Sequence, residues 1–247
     1  MKAFRTLLFT EMKLSLRGMD MLIFAIFMPI ITMVILGILY GSKPAFEGAD
    51  YTFVAQSFGA VSAIAICAGG VMGLPLVISD YREKKILKRY KVTPSSPVLL
   101  LIVQVAVYAI YAIVSMLLVW AVSAVFFDFR IAGKLPQYLG AFFLVMLSMF
   151  SIGMLVGGVS KDSKMAGILA SVLYFPMLLL SGTTIPYEIM PAPLRAAADI
   201  MPLTQGIKLL KASSLGLPME NVWLSVIVMV VLAVLCITLS VRFFKWE

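Results

Sequence analysis

The sequence predicts an all-α integral membrane protein built on six transmembrane helices, and three observations carry that prediction. Six apolar stretches are each long enough to cross a bilayer, the 13% charged content is about half that of a soluble domain, and basic residues gather on alternate connections. With 62% hydrophobic residues and a mean hydropathy of +1.05, water is not the chain's main solvent. Around the spans the sequence places an N-terminal amphipathic helix, a short cytoplasmic helix after the second span and a short extracellular helical hairpin before the last.

A helix rising about 1.5 Å per residue needs roughly 20 apolar residues to cross the hydrocarbon. The stretches that qualify are 21–40, 54–79, 98–125, 138–159, 165–181 and 222–241. The fifth is the weakest, because Pro176 sits inside it and only a short polar linker separates it from the fourth. All 247 residues read as a single transmembrane domain.

Lysine and arginine orient the chain. The N-terminal tail has four (Lys2, Arg5, Lys13, Arg17), and the second connection has six (Arg82, Lys84, Lys85, Lys88, Arg89, Lys91). The fourth connection and the C-terminal tail have two each, which makes fourteen on one side against six spread over the longer connections of the other. Basic residues are retained in the cytoplasm, so both termini are expected there. Acidic residues divide six and six, so the net charge of +8 belongs to the cytoplasmic face. The basic balance thus reports topology, and no nucleic-acid partner is needed to explain it.

In the N-terminal tail, Phe4, Leu7, Leu8, Met12 and Leu16 recur near helical spacing among Arg5, Glu11, Lys13 and Arg17. That pattern describes an amphipathic helix along the cytoplasmic surface, either a simple basic anchor or a partner surface. The tail lacks the pattern of a cleavable signal, so the first span is expected to stay in the protein. Cys67 and Cys236 lie within apolar stretches and read as small hydrophobes rather than a disulfide pair.

Small residues four apart mark several spans: Gly37 and Gly41; Ala65, Gly69 and Gly73; Gly153 and Gly157; Gly167 and Ser171. This spacing lets helix backbones approach closely in lipid. No Asp, Glu, Lys, Arg or His falls in the middle of a span, which argues against proton relays and ion-coupled transport. The polarity that remains is mild, chiefly Gln56, Gln104, Tyr108, Tyr111 and Tyr174. These residues serve either interhelical hydrogen bonds or the lining of a path for an amphipathic substrate.

Residues 80–97, DYREKKILKRYKVTPSSP, carry the strongest local signal. The segment leaves the second span, stays helix-compatible through Lys91 and stops at Pro94 and Pro97. Ile86, Leu87 and Tyr90 fall on one side among six basic residues. Too short to span, it reads as a surface helix over about 81–93 with an apolar stripe turned to the cytoplasm. The plainer alternative is a basic loop that fixes orientation or attracts anionic lipid.

These residues resemble the permease subunits of type-2 ABC exporters, the ABC-2 family. There the second span runs into a coupling helix of the form E-R-E-x-G-x-L-x-x-L-x-x-T-P, and this chain has Asp80-Tyr81-Arg82-Glu83, Leu87, Tyr90 and Thr93-Pro94 in register. Lys85 stands where the motif has glycine. Residues 180–211 are similar to the family's segment after the fifth span, matching at Ser181-Gly182, Pro186, Glu188, Leu194-Arg195 and Pro202-Leu203-Thr204, with Gln205 where an aromatic is common.

The resemblance implies ATPase coupling through Arg82, Glu83, Ile86, Leu87, Tyr90, Thr93 and Pro94. It also implies an external gate at Pro186, Glu188, Arg195 and Pro202, within a re-entrant region over about 182–211. Read physically, that region is too proline-broken to span and forms one or two short helices in the outer leaflet, with Arg195 and Asp199 able to pair. A plain interfacial cap is the alternative.

The sequence contains no G-x-x-x-x-G-K-[ST] phosphate loop, and Gly157-Gly158-Val159-Ser160-Lys161 lacks its spacing. ATP and Mg would therefore reside on a separate ABC ATP-binding subunit, present in two copies. This chain is expected to bind no cofactor or metal and to have no catalytic residue of its own. A second permease copy or a homologous permease, together with membrane lipid, completes the expected partners.

The function expected is the permease subunit of an exporter that moves a drug, antibiotic, lipid or polymer precursor across a bacterial or archaeal plasma membrane. A non-enzymatic membrane scaffold is the rival reading. An intramembrane enzyme is disfavoured because the chain has no histidine and no carboxylate within a span.

Overall fold

The computed structural model of the chain describes residues 2–18, 22–41, 43–46, 48–91, 96–181, 190–218 and 222–244. Among the described residues the fold is helical, with one isolated antiparallel bridge between Pro44 and Thr52. Six helices among the described residues are long and apolar enough to cross a membrane: Ile23–Tyr40, Phe53–Glu83, Pro97–Phe127, Leu135–Val159, Ser163–Leu180 and Trp223–Phe243. The fifth runs unbroken through Pro176.

Local chemistry sets where several spans begin. Thr52 Oγ1 accepts from the Ala55 amide at 3.2 Å, and Ser96 Oγ accepts from the Leu99 amide at 3.1 Å just ahead of Pro97. Asp162 does the same for the fifth span, accepting from the Met165 amide at 2.7 Å. Each cap satisfies an amide that the first turn leaves without an intrahelical partner.

Two spans widen into π turns just ahead of a proline, over Ile23–Phe27 before Pro29 and over Ala68–Gly73 before Pro75. Proline lacks an amide hydrogen and its ring crowds the carbonyl four residues back, so the preceding turn opens. In the second span that turn is lined by small residues, and the fourth span closes on it. A Cβ on Gly153 would collide with the Gly70 carbonyl oxygen, and one on Gly157 would lie 2.9 Å from Ile78 Cβ. The small-residue pair read from the fourth span is thus the point of its closest approach to the second.

The second span is the central post, with most of its side chains buried, whereas the first, fifth and sixth spans are peripheral. Helix Pro202–Leu215 is also interior, packed against the second, fourth and sixth spans. Gln205 within it is buried and uses both ends of its amide: Nε2 donates to the Asp199 carbonyl at 2.6 Å, and Oε1 accepts from Ser225 Oγ at 2.7 Å. At the end of this helix the Ser214 carbonyl accepts from the amides of Ala132 and Gly133 at 3.0 and 3.1 Å. That pair of bonds hooks the connection between the third and fourth spans onto the interior helix.

Helix Lys2–Gly18 does not lie free on a surface. Phe4, Leu7, Leu8 and Met12 pack against Ala25, Ile26, Val103, Val107 and Tyr111, which belong to the first and third spans. Leu16 departs from the expected apolar face and is exposed. This helix and Phe244 mark the near end of the bundle, and Phe127 and Leu135 mark the far end.

Candidate coupling corner at the near end of the second span

The second span leaves the core through Asp80, Tyr81, Arg82 and Glu83, and these four side chains engage four different parts of the fold. Asp80 pairs with Lys84 at 2.9 Å, an exposed i,i+4 contact of small energetic value. Tyr81 donates to Glu11 Oε2 at 2.5 Å, and Gln104 Nε2 donates to the same oxygen at 2.7 Å and to Tyr81 Oη at 3.0 Å. Glu11 is thereby buried at 7% exposure with its charge met by two donors. A further bond, Tyr111 Oη to Ser15 Oγ at 2.9 Å, ties the same helix to the third span.

Arg82 turns the other way. Its Nη1 donates to the carbonyls of Gly157, Gly158 and Ser160 at 3.0, 3.1 and 2.5 Å, and its guanidinium lies 5.9 Å from the centroid of the Phe244 ring. The last carbonyls of a helix have no intrahelical donor and carry partial negative charge, so a buried cation there meets both needs. Glu83, next along the chain, is exposed and accepts from the Ser163 amide at 2.9 Å and its hydroxyl at 2.7 Å. Ser163 opens the fifth span, where the helix dipole favours an anion. Consecutive residues of opposite charge therefore grip the closing end of the fourth span and the opening end of the fifth.

Beyond Glu83 the helix breaks. Lys85 has φ +57°, in the left-handed region, and a new helix runs Ile86–Lys91. This is the position where the ABC-2 motif carries glycine, which enters that region without steric cost. What reads in sequence as one helix over 81–93 is thus an end, a left-handed joint and a restart.

The apolar stripe also faces the opposite way from that expected. Leu87 is 1% exposed within the main core, and Ile86 and Tyr90 pack against that core. Burial raises the pKa of the Tyr90 phenol, with the Glu11 carboxylate adding to the effect. The outward side carries exposed Lys84, Lys85, Lys88 and Arg89. The correction has a simple cause: a short helix beside a packed bundle gains more by burying its leucine than by presenting it to water. Thr93 and Pro94 lie outside the described residues.

Of the gate positions, Pro186 and Glu188 also lie outside the described residues. Arg195 Nη2 donates to the Met190 carbonyl at 3.3 Å, Asp199 forms an ion pair with Lys208 at 2.5 Å, and Pro202 occupies the first turn of the interior helix.

The five residues read as a path do not share one wall. Gln104 and Tyr111 bind the N-terminal helix, and Tyr108 is buried with its ring centroid 6.4 Å from that of Tyr111. Gln56 Oε1 is buried without a partner among the described residues. Tyr174 lines a cleft of about 440 Å³ between the first, second and fifth spans, together with Phe24, Met28, Ile64 and Met72.

Glu11 and Gln205 were not singled out by sequence reasoning as structural anchors. A lone carboxylate on the apolar side of an amphipathic helix was the available signal for Glu11.

A family model described as ABC-2 type transporter matches residues 2–215, which takes in the corner and the interior helix. The chain belongs to the ABC-2 type transporter family. It is also similar to Nodulation protein J of Rhizobium leguminosarum bv. viciae, at 31% identity over 97 residues, covering 39% of this chain and 35% of the relative. The match thus spans about a third of that relative's length. As an ABC-2 family member with six helices long and apolar enough to span, the chain is a multi-pass membrane protein.

Proposed function

We propose that this chain is the permease subunit of an ATP-driven exporter that moves a hydrophobic or amphipathic substrate out of the cell. In this reading both termini and the near end face the cytoplasm, in keeping with the fourteen basic residues on that side. Two copies of an ABC ATP-binding subunit dock on the near end, with ATP and Mg held by those partners. A second permease copy or a homologous permease completes the pathway.

The observation that carries the proposal is the Arg82–Glu83 grip. The helix Ile86–Lys91 is joined through Lys85 to a span whose last two residues hold the fourth and fifth spans. A displacement imposed on its basic outer face by a partner would therefore reach three spans together. The coupling contact then falls on Lys84, Lys85, Lys88 and Arg89, while Arg82, Ile86, Leu87 and Tyr90 transmit motion from inside. The Tyr174 cleft opens between the peripheral first and fifth spans with the second span behind it, and suits the side on which a second permease would enclose substrate.

The test is co-reconstitution of the chain with its ATP-binding partner in proteoliposomes. Candidate lipids, drugs and polymer precursors are screened for stimulated ATP hydrolysis and for movement across the vesicle wall. The proposal expects stimulation and transport only when both subunits are present. Failure of every ATP-binding partner to associate with the chain, or transport by the chain alone, would overturn it.

A further inference from the structure

At the far end the third and fourth spans splay apart around a cavity of about 710 Å³, separate from the Tyr174 cleft and from the corner. One wall is the helix face of Met116, Leu117, Trp120 and Ala124, the other is Leu135 and Leu139 of the fourth span, and Phe58 of the second span lines it too. The wall from Met116 to Asp128 runs about 18 Å along a helix axis, so the cavity reaches well into the hydrocarbon from its surface end. Leu117, Trp120 and Leu135 are each 44% exposed or more, so the cavity opens sideways toward lipid, and buried Phe58 and Tyr138 close its inner side.

Its polar groups are gathered at one end. Asp128, in the left-handed conformation that closes the third span, and Arg130 both line the mouth, and both are exposed. Arg130 forms no salt bridge among the described residues, and Lys134, four residues on, is exposed beside the start of the fourth span. The cavity therefore combines an apolar slot at membrane depth with the Arg130 guanidinium at its mouth.

We infer that this cleft is a binding site for an anionic glycerophospholipid drawn from the leaflet at the far end. One acyl chain lies along Leu117, Trp120 and Ala124, and the phosphate is met by Arg130. The volume falls within the range of sites that enclose drug-sized ligands. Arginine suits the phosphate because its fork donates two parallel charge-assisted bonds. Asp128 repels a second negative charge, which favours a headgroup with a single phosphate. The inference needs only that the spans cross a membrane, and it holds whichever way the protein is oriented and whatever it transports.

Native mass spectrometry of the purified full chain tests it, with lipid retention measured for dioleoylphosphatidylglycerol and dioleoylphosphatidylcholine. Wild-type protein should retain one phosphatidylglycerol per chain in preference to phosphatidylcholine. Arg130→Gln, at an exposed position, should weaken phosphatidylglycerol retention by about tenfold and leave phosphatidylcholine unchanged. Ala124→Phe, which fills the slot, should lose both lipids while its elution volume and melting temperature stay those of a folded protein. Equal retention of either lipid by wild type and Ala124→Phe would overturn the proposal. Loss in Arg130→Gln without loss in Ala124→Phe would also overturn it, because that result means headgroup adsorption alone. A change in oligomeric mass with unchanged lipid binding would assign the cleft to another copy of the chain and overturn it equally.

Discussion

Arg82 donates through one guanidinium nitrogen to the carbonyl of Ser160, at 2.5 Å. The bond joins the second span to the first residue past the fourth, and the next residue along, Glu83, holds the first residue of the fifth. Because Arg82 also meets Gly157 and Gly158, its removal would leave a buried helix end without external donors. Arg82→Ala should cost about 3 kcal/mol, the scale of several buried acceptors losing a charged partner. The measurement is the melting temperature in detergent. Arg82→Lys should recover only part of the loss, because an ammonium is more strongly hydrated than the guanidinium and lacks its planar face toward the Phe244 ring.

Lys85 offers a prediction of opposite sign. Its backbone sits at φ +57°, a conformation that costs a residue with a Cβ about 1 kcal/mol relative to glycine. Lys85→Gly should therefore raise stability by about that amount. Lys85→Pro should prevent the joint from forming, since proline fixes φ near −65°. Thermal melts of the two variants against wild type decide the matter.

Gly153 marks the closest approach of the second and fourth spans. Gly153→Ala should destabilise by about 2–3 kcal/mol, because the colliding atom is a backbone carbonyl that cannot rotate aside. Gly140→Ala, in the same helix with nothing near its added methyl, serves as the control and should be neutral or stabilising. Equal effects at the two sites would show that close packing against the π turn is not what glycine provides.

The cluster of Glu11, Tyr81 and Gln104 should behave as a unit. Glu11→Ala and Gln104→Leu should each destabilise the docking of the N-terminal helix by about 1–3 kcal/mol, and the double variant should cost clearly less than their sum. Limited proteolysis within residues 2–18, or exchange of that helix's amides, reports the loss directly. Additive effects would mean that the two groups act separately.

The spans were legible because a bilayer permits few alternatives: an apolar stretch of sufficient length can satisfy its backbone only as a helix. The fourth-span glycines were legible for a related reason, since spacing of four puts them on one helix face. The corner was harder. Arg82 and Glu83 read as surface charge because nothing local says that helix ends approach them, and that fact depends on spans 75 to 80 residues away in sequence. Lys85 carried a usable signal, a lysine where the resembling motif has glycine, but a joint and a continuous helix look alike when φ is unknown. The interior place of helix Pro202–Leu215 was not legible, because a proline-broken segment reads as short helices in the outer leaflet and Thr204, Gln205, Ser213 and Ser214 do not mark a buried face. The fold buries them by giving Gln205 two partners and by turning the Ser213 hydroxyl back to the Leu209 carbonyl at 2.7 Å.

The central claim is that the grip of the second span on its neighbours carries work from a partner ATPase into the bundle. Glu83→Ala tests it most directly, because this side chain is exposed, makes both its bonds to Ser163 and lies outside the basic docking face. In proteoliposomes holding the variant and its ATP-binding partner, the measurement is substrate moved per ATP hydrolysed. The account predicts that the partner still binds and hydrolyses ATP while the transport ratio falls several-fold. An unchanged ratio, with the partner bound as in wild type, would contradict it.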